Sequence, residues 1–342
     1  MSRTLRSILY AFAALVVAVT LAACGGIGPT PNAKANKPLP SALTSKIASI
    51  GSTPGAPMMI RIFKESSELE VWKRTSSGSY KLLKTYEICA YSGGLGPKIK
   101  EGDRQSPEGF YTITPALLNP NSNYYLAFNT GFPNKFDRSY GRTGSDLMVH
   151  GDCSSRGCYA MTDDGIAEIY ALARETFKGG NPSFQLQIFP FRMTAENLAK
   201  HASNENMGFW KNIKAGYDRF EIARQPPVWD VCNRQYVFDV PAGLNLDAAA
   251  ACPTAVASLS PDLQAKQAAD EAAMAKAVAN LAAKEAKAAA DAQKAADAEA
   301  AAKARGEAIG NFFGGMFGGG DSAKTIDPAI EAPLPKPRLN RA

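Results

Sequence analysis

The feature that most limits how this chain can fold is the uneven placement of its large apolar residues. From residue 261 to about 308, alanine dominates, interleaved with Lys, Glu, Asp and Gln. Alanine favours helix but offers little surface to bury. The stretch therefore predicts a solvated helical spacer of about 45 residues, spanning about 70 Å. Leu263, Met274, Val278 and Leu281 do not sustain a heptad seam, which argues against a strong coiled coil. Residues 24–57 are rich in Gly, Pro, Ser, Thr and Ala, a composition that predicts a flexible tether. The 342 residues thus hold one globular domain with appendages rather than two full domains.

Within that domain the pattern is that of β structure. Met58–Phe63, Leu69–Trp72 and Leu82–Ile88 alternate or run apolar, separated by Gly and Ser clusters. Further strands are expected at Phe110–Thr114, Tyr124–Phe128, Leu147–His150 and Phe184–Phe189, with a helix near 164–178. The expected class is α+β, mainly β: an antiparallel sheet or small barrel over residues 58–192, with helices packed beside it. Residues 193–255 read as an extension of this core. Helical spacing over Thr194–Ala202 and Met207–Ile222 is followed by Pro226-Pro227, then by an extended stretch with a strand at Tyr236–Val240.

The beginning of the chain reads as an export signal. Arg3 and Arg6 precede an apolar run from Ile8 to Ala23, too short for a comfortable membrane span. Leu21-Ala22-Ala23-Cys24 resembles a bacterial lipobox, which implies removal of residues 1–23 and lipidation of Cys24, anchoring the chain to a membrane. Gly25, where an Asp would stand in retained lipoproteins, resembles those sorted onward. The expected location is the periplasm, lipid-anchored, at the outer rather than the inner membrane. At the other end, the spacer (256–310) gives way to residues 311–342. These hold a Gly-rich aromatic patch from Asn311 to Gly318, read as a docking element, and a basic, Pro-rich tail from Pro335. The formal charge of +6 drops to about +4 without Arg3 and Arg6. That modest excess, with no nucleic-acid motif, argues against nucleic acid and suits an anionic wall matrix.

The chemistry concentrates in residues 147–163, where a short apolar strand delivers His150, a small-residue turn delivers Cys158, and helix-capping residues follow. A thiol needs a base, because its thiolate is the attacking form. His150 is one of only two histidines, the other being His201, which reads as a packing or surface residue. The start of the following helix is expected to lower the thiol pKa, and the amides of Gly157 and Cys158 are candidate oxyanion donors. Setting aside Cys24 and Cys158, the cysteines Cys89, Cys153, Cys232 and Cys252 permit three pairings. A Cys232–Cys252 bridge is favoured because both flank a Pro- and Asp-containing loop outside the core. That leaves Cys89 and Cys153 near the cleft, with a Cys153–Cys158 bridge as a redox-protective alternative. No close C-x₂-C pair suggests a metal, and no cofactor is called for.

His150-Gly151, followed by Ser155-Arg156-Gly157-Cys158, resembles the active-site signature of the L,D-transpeptidase (YkuD-type) catalytic domain, and Cys158-Tyr159-Ala160-Met161-Thr162-Asp163 resembles its YafK-like branch. Leu95-Gly96-Pro97-Lys98 and the stretch from Gly102 to Tyr111 resemble the family's Gly-Asp…Ser-Pro-x-Gly segment lining the same cleft. The sequence departs from the commoner pattern in two ways. His150 and Cys158 lie only eight positions apart, and Arg156 stands where that pattern has a second histidine. The resemblance implies Cys158 as nucleophile and His150 as base. Ser155 and Gly157 shape the turn, while Arg156, Tyr159, Ser106 and Gly109 touch substrate. It also implies peptidoglycan stem peptides as substrate and a diaminopimelate–D-alanine bond as the target, with an amine as acceptor. The alternatives are hydrolysis that detaches an envelope lipoprotein from the wall, and a noncatalytic wall-binding lipoprotein.

Overall fold

The computed structural model describes residues 33–316 apart from 242 and 258–259. The signal segment, Cys24, Gly25, the end of the aromatic patch and the basic tail lie outside the described residues. In chain order the first elements are α1 (Ser41–Ser49), β1 (Met58–Phe63), β2 (Glu68–Arg74), β3 (Tyr80–Glu87), β4 (Ala90–Tyr91) and β5 (Gly109–Ile113). Then come β6 (Leu118–Asn119), β7 (Ala127–Asn129), α2 (Lys135–Ser139), β8 (Met148–His150), β9 (Tyr159–Ala160), α3 (Asp163–Lys178) and β10 (Phe184–Phe189). The last are α4 (Ala195–Lys200), α5 (Met207–Ala223), β11 (Trp229–Cys232), β12 (Gln235–Phe238), α6 (Thr254–Ala257) and α7 (Pro261–Met316). They form two compact units, one of Met1–Phe191 with Arg219–Ala257, the other of Arg192–Asp218 with Ser258–Ala342.

The first unit is α+β and holds two five-stranded sheets where the sequence pattern predicts one sheet or small barrel. One sheet runs β3-β2-β1-β10-β5 and the other β4-β9-β8-β7-β6. All pairings are antiparallel except β1 with β10 and β8 with β9. The two-residue strands of the second sheet are too short to leave a periodic trace in the sequence. β1 lies in the middle of its sheet with all six residues buried. That burial explains its nearly continuous apolar run, interrupted only by Arg61. One apolar cluster joins Ile60, Ile62 and Val71 of the first sheet to Phe128, Val149 and Tyr159 of the second. Ile166, Ile169 and Leu172 of α3 belong to the same cluster. α3 is capped by Thr162, whose hydroxyl accepts from the Gly165 amide at 3.0 Å. A separate hairpin, β11–β12, carries the Cys232–Cys252 disulfide.

The predicted tether needs correction. Part of it, Ser41–Ser49, is the helix α1, which buries Leu43 and Ile47 in the main core. Arg174 of α3 also donates to the carbonyls of Ala35 and Lys37. Two apolar residues four apart present one helical face, and that spacing suffices here even among prolines and serines.

In the second unit, α4 packs on α7. Lys214 pairs with Asp218 and with Asp270 of α7, which also takes Lys266. α7 runs for 56 residues, longer than the expected spacer, and passes through Asn311, Phe312 and Phe313, so the described part of the predicted aromatic patch is helical. Gly306 and Gly310 do not stop it, each costing only about 1 kcal/mol against alanine. Beyond its first turns nearly every position is exposed. Among the described residues no helix is long and apolar enough to cross a membrane.

Candidate active site

The parallel pair β8–β9 builds the site. Its register sets Val149 opposite Tyr159 and His150 opposite Ala160. One step back along both strands, Cys158 comes beside Met148, whose amide donates to Cys158 Sγ at 3.4 Å. Met148 and His150 are two residues apart on one strand and so share a face, which puts the imidazole and the thiol on the same side of the sheet. Both line one cleft of about 480 Å³ with Lys98, Glu101, Arg104, Tyr124, Asp146 and Arg156. Cys158 is the free cysteine among the described residues.

His150 is 3% exposed. Its Nδ1 lies 2.5 Å from the Gly151 carbonyl oxygen. A carbonyl only accepts, so in the neutral ring Nδ1 carries the proton and Nε2 is left as the acceptor, the form a base requires. Tyr124 lies against the imidazole, ring centroids 4.7 Å apart. Burial lowers the imidazole pKa from its ordinary 6.5, partly countered by the Gly151 carbonyl and Asp152. Burial also raises the thiol above its ordinary 9.0. The Met148 amide opposes that rise, Asp146 adds to it and Lys98 opposes it. Burial thus favours the neutral form of both the thiol and the imidazole. The expected help from the helix does not enter. α3 starts only after β9, with Thr162 as its cap and the acidic Asp163 and Asp164 in its first turn.

The turn before Cys158 is held by hydroxyls. Ser155 donates to the Cys158 carbonyl at 2.6 Å, and its oxygen takes the Gly157 amide at 3.3 Å. The Gly157 amide is thus engaged in shaping the turn, which corrects its assignment as an oxyanion donor. Ser106, fully buried, donates to the Cys158 carbonyl at 3.3 Å and accepts from the Ser92 amide at 3.2 Å. It braces the turn instead of meeting substrate. Tyr159 is also fully buried, with its hydroxyl on the Pro107 carbonyl at 2.7 Å. Being next to Cys158 along a strand, it points to the opposite face, so it is a core residue and not a substrate contact. Gly109 faces Tyr236: a Cβ there would lie 2.5 Å from the Tyr236 hydroxyl, and its φ is +136°. It too is outside the cleft lining. Gly109→Ala should cost about 1–3 kcal/mol through overpacking and strain, read as a lower midpoint in denaturant. Arg156 is exposed on the cleft wall, and His201 stacks edge-on to Trp210 in the second unit.

Two devices fix the cleft that sequence reading leaves unseen or open. Lys64 and Glu108, both with fully buried side chains, pair at 3.0 Å. Lys64 also donates to the carbonyls of Gly96 and Ser106, and Glu108 accepts from the Gly96 amide at 2.7 Å. The pair pins both ends of the loop that carries Lys98, Glu101 and Arg104. A disulfide joins Cys89 to Cys153 across 64 residues, tying the stretch before β4 to the loop between His150 and Cys158; the alternative Cys153–Cys158 bridge is thereby excluded. Replacing Cys89 and Cys153 by serine should cost about 2–4 kcal/mol. The measurement is thermal unfolding under oxidising conditions, with the Cys232–Cys252 bridge left in place.

Residues 58–178 match the family model described as the YkuD L,D-transpeptidase catalytic domain. The chain is 48% identical over 187 residues to the protein named "Putative L,D-transpeptidase YafK" of Escherichia coli (strain K12), covering 55% of this chain and 76% of that relative. Among solved structures, it is similar to the helical cell shape determining protein Pgp2 from Campylobacter jejuni. That match has 18% identity and a TM-score of 0.32, over 56% of this chain and 80% of that one. It is also similar to Bd1075 of Bdellovibrio bacteriovorus, with 23% identity and a TM-score of 0.28, over 40% of this chain and 48% of that one.

Proposed function

The chain belongs to the YkuD-type L,D-transpeptidase family, and from that premise we propose that it is a cysteine acyltransferase acting on the peptide stems of peptidoglycan. The observation that carries the reading is the placement of Cys158 and His150 on one face of β8–β9, in one cleft, with Nε2 of His150 left as acceptor.

In the proposed reaction Cys158 Sγ attacks the carbonyl carbon of the third stem residue, a diaminopimelate, as Nε2 of His150 takes the thiol proton. The Cys158 amide receives the developing oxygen anion. Collapse breaks the C–N bond to the terminal D-alanine, whose amine leaves with the proton from the imidazolium. A thioester remains. An acceptor amine then gives its proton to His150 and attacks the thioester, forming a new amide and releasing the thiolate, which takes that proton back from His150. Anchoring through a lipidated Cys24 in the periplasm, on the outer membrane, completes the proposal and would hold this cleft beside the wall.

The test is mass spectrometry of muropeptides from cells expressing the wild type or Cys158→Ala. New cross-links between third residues, or new attachment of an envelope lipoprotein, appearing only with the wild type support amine transfer. Loss of lipoprotein from the wall would instead identify water as the acceptor. Identical profiles for both proteins would refute an enzymatic role.

A further inference from the structure

The loop pinned by Lys64 and Glu108 carries a lysine that the reaction above does not use. Lys98 is 3% exposed, yet it lines the cleft that holds Cys158 and His150. Its ammonium donates to the Lys100 carbonyl at 2.9 Å and to Asp103 Oδ1 at 2.5 Å. An ammonium has three protons, so one is left over from these two bonds. Asp103 also accepts from the amides of Ile99, Lys100 and Gln105 at 2.9–3.0 Å. Burial pushes its carboxyl up, but Lys98 and the amides outweigh that and hold it at about 2. The carboxylate therefore keeps the loop in place until the pH falls from 3.8 toward about 2. Room for the lysine stem comes from Gly144, where a Cβ would sit 2.5 Å from Lys98 Cε.

A buried cation is costly unless its charge is used or neutralised, and here the single carboxylate paired with it is shared with three backbone amides. We infer that Lys98 is a positioning residue for the proposed reaction, a fixed positive charge that stabilises the Cys158 thiolate as it forms, with Asp103 setting how much of that charge the sulfur feels. The inference rests on Cys158 being the nucleophile. The other charged or titratable groups lining the cleft are Glu101 and Arg104 from the same loop, Asp146 ahead of β8, His150 on β8 and Arg156 in the turn. Arg104 and Arg156 are exposed and screened by water, whereas a buried charge acts through a lower dielectric.

The test is the pH dependence of iodoacetamide alkylation on the full chain, read on the Cys158 peptide by mass spectrometry. Lys98→Met should raise the midpoint by about one unit, slowing alkylation at neutral pH about ten-fold, and Lys98→Arg should restore most of it. An unchanged midpoint in folded Lys98→Met would overturn the inference. Should that variant fail to fold, Asp103→Asn decides: with its counter-charge gone, Lys98 should lower the midpoint, and an unchanged or raised midpoint refutes the role. Alkylation requires no peptidoglycan, so this outcome is read independently of the muropeptide profiles.

Discussion

Replacing Cys158 with alanine should lower release of the terminal stem residue by at least about 10³-fold in kcat/KM, measured on purified muropeptides by chromatography. The size follows from the chemistry: without sulfur there is no thioester, and nothing else on the cleft wall can form one. The fold should hardly notice. Sγ makes only two long contacts, from the Met148 amide at 3.4 Å and to the Asp146 carbonyl at 3.5 Å. Unfolding free energy should therefore move by less than about 1.5 kcal/mol, in line with weak bonds at a half-buried position. Cys158→Ser should remain nearly as inactive, because a hydroxyl is far harder to ionise beside the same imidazole. Activity surviving in Cys158→Ala would remove the sulfur from the mechanism altogether.

Replacing His150 with glutamine should lower kcat by about 10²–10⁴-fold while leaving KM nearly unchanged. Glutamine fills similar space but takes no proton at Nε2's position. The pH profile gives a second readout. Burial lowers the imidazole pKa below 6.5, so wild-type kcat should persist at pH values where an exposed histidine is already protonated, then fall on an acid limb that the variant lacks. The same shift bears on stability. The unfolded chain binds the proton more readily than the folded one, so this contribution is full above pH 6.5 and is lost as pH falls toward and below the folded value. A variant with unaltered kcat would assign the base elsewhere.

Much of this architecture is legible in the order of residues, and the failures have identifiable causes. β1 and β10 occupy Met58–Phe63 and Phe184–Phe189 as the pattern predicts, because both are dense in large apolar residues, with only Arg61 in the first and Gln185 and Gln187 in the second as polar positions. α3 starts within a residue of expectation, since Thr162 caps it and Ile166, Ile169 and Leu172 mark its buried face. That Cys158 and His150 share one cleft is legible because their motif is local. What surrounds them is not: Tyr124 on the imidazole, the Met148 amide on the sulfur and the Lys64–Glu108 pair depend on register and on partners far apart in sequence. Ser106, Tyr159 and Gly109 mislead for a related reason, since closeness to a motif along the chain says nothing about which face of a strand a side chain takes.

The docked N-terminal segment would change the geometry of any attachment made through Cys24. Were the chain loose until Met58, a lipid on Cys24 would leave the catalytic unit roaming over about 115 Å, the contour length of that stretch. Because Ala35 and Lys37 are already bonded to Arg174 and α1 is packed into the core, the stretch from Cys24 to Ala35 spans at most about 37 Å. A lipid-anchored form of this protein would accordingly work a thin layer next to its own bilayer, and stems deeper in the wall would be beyond its grasp.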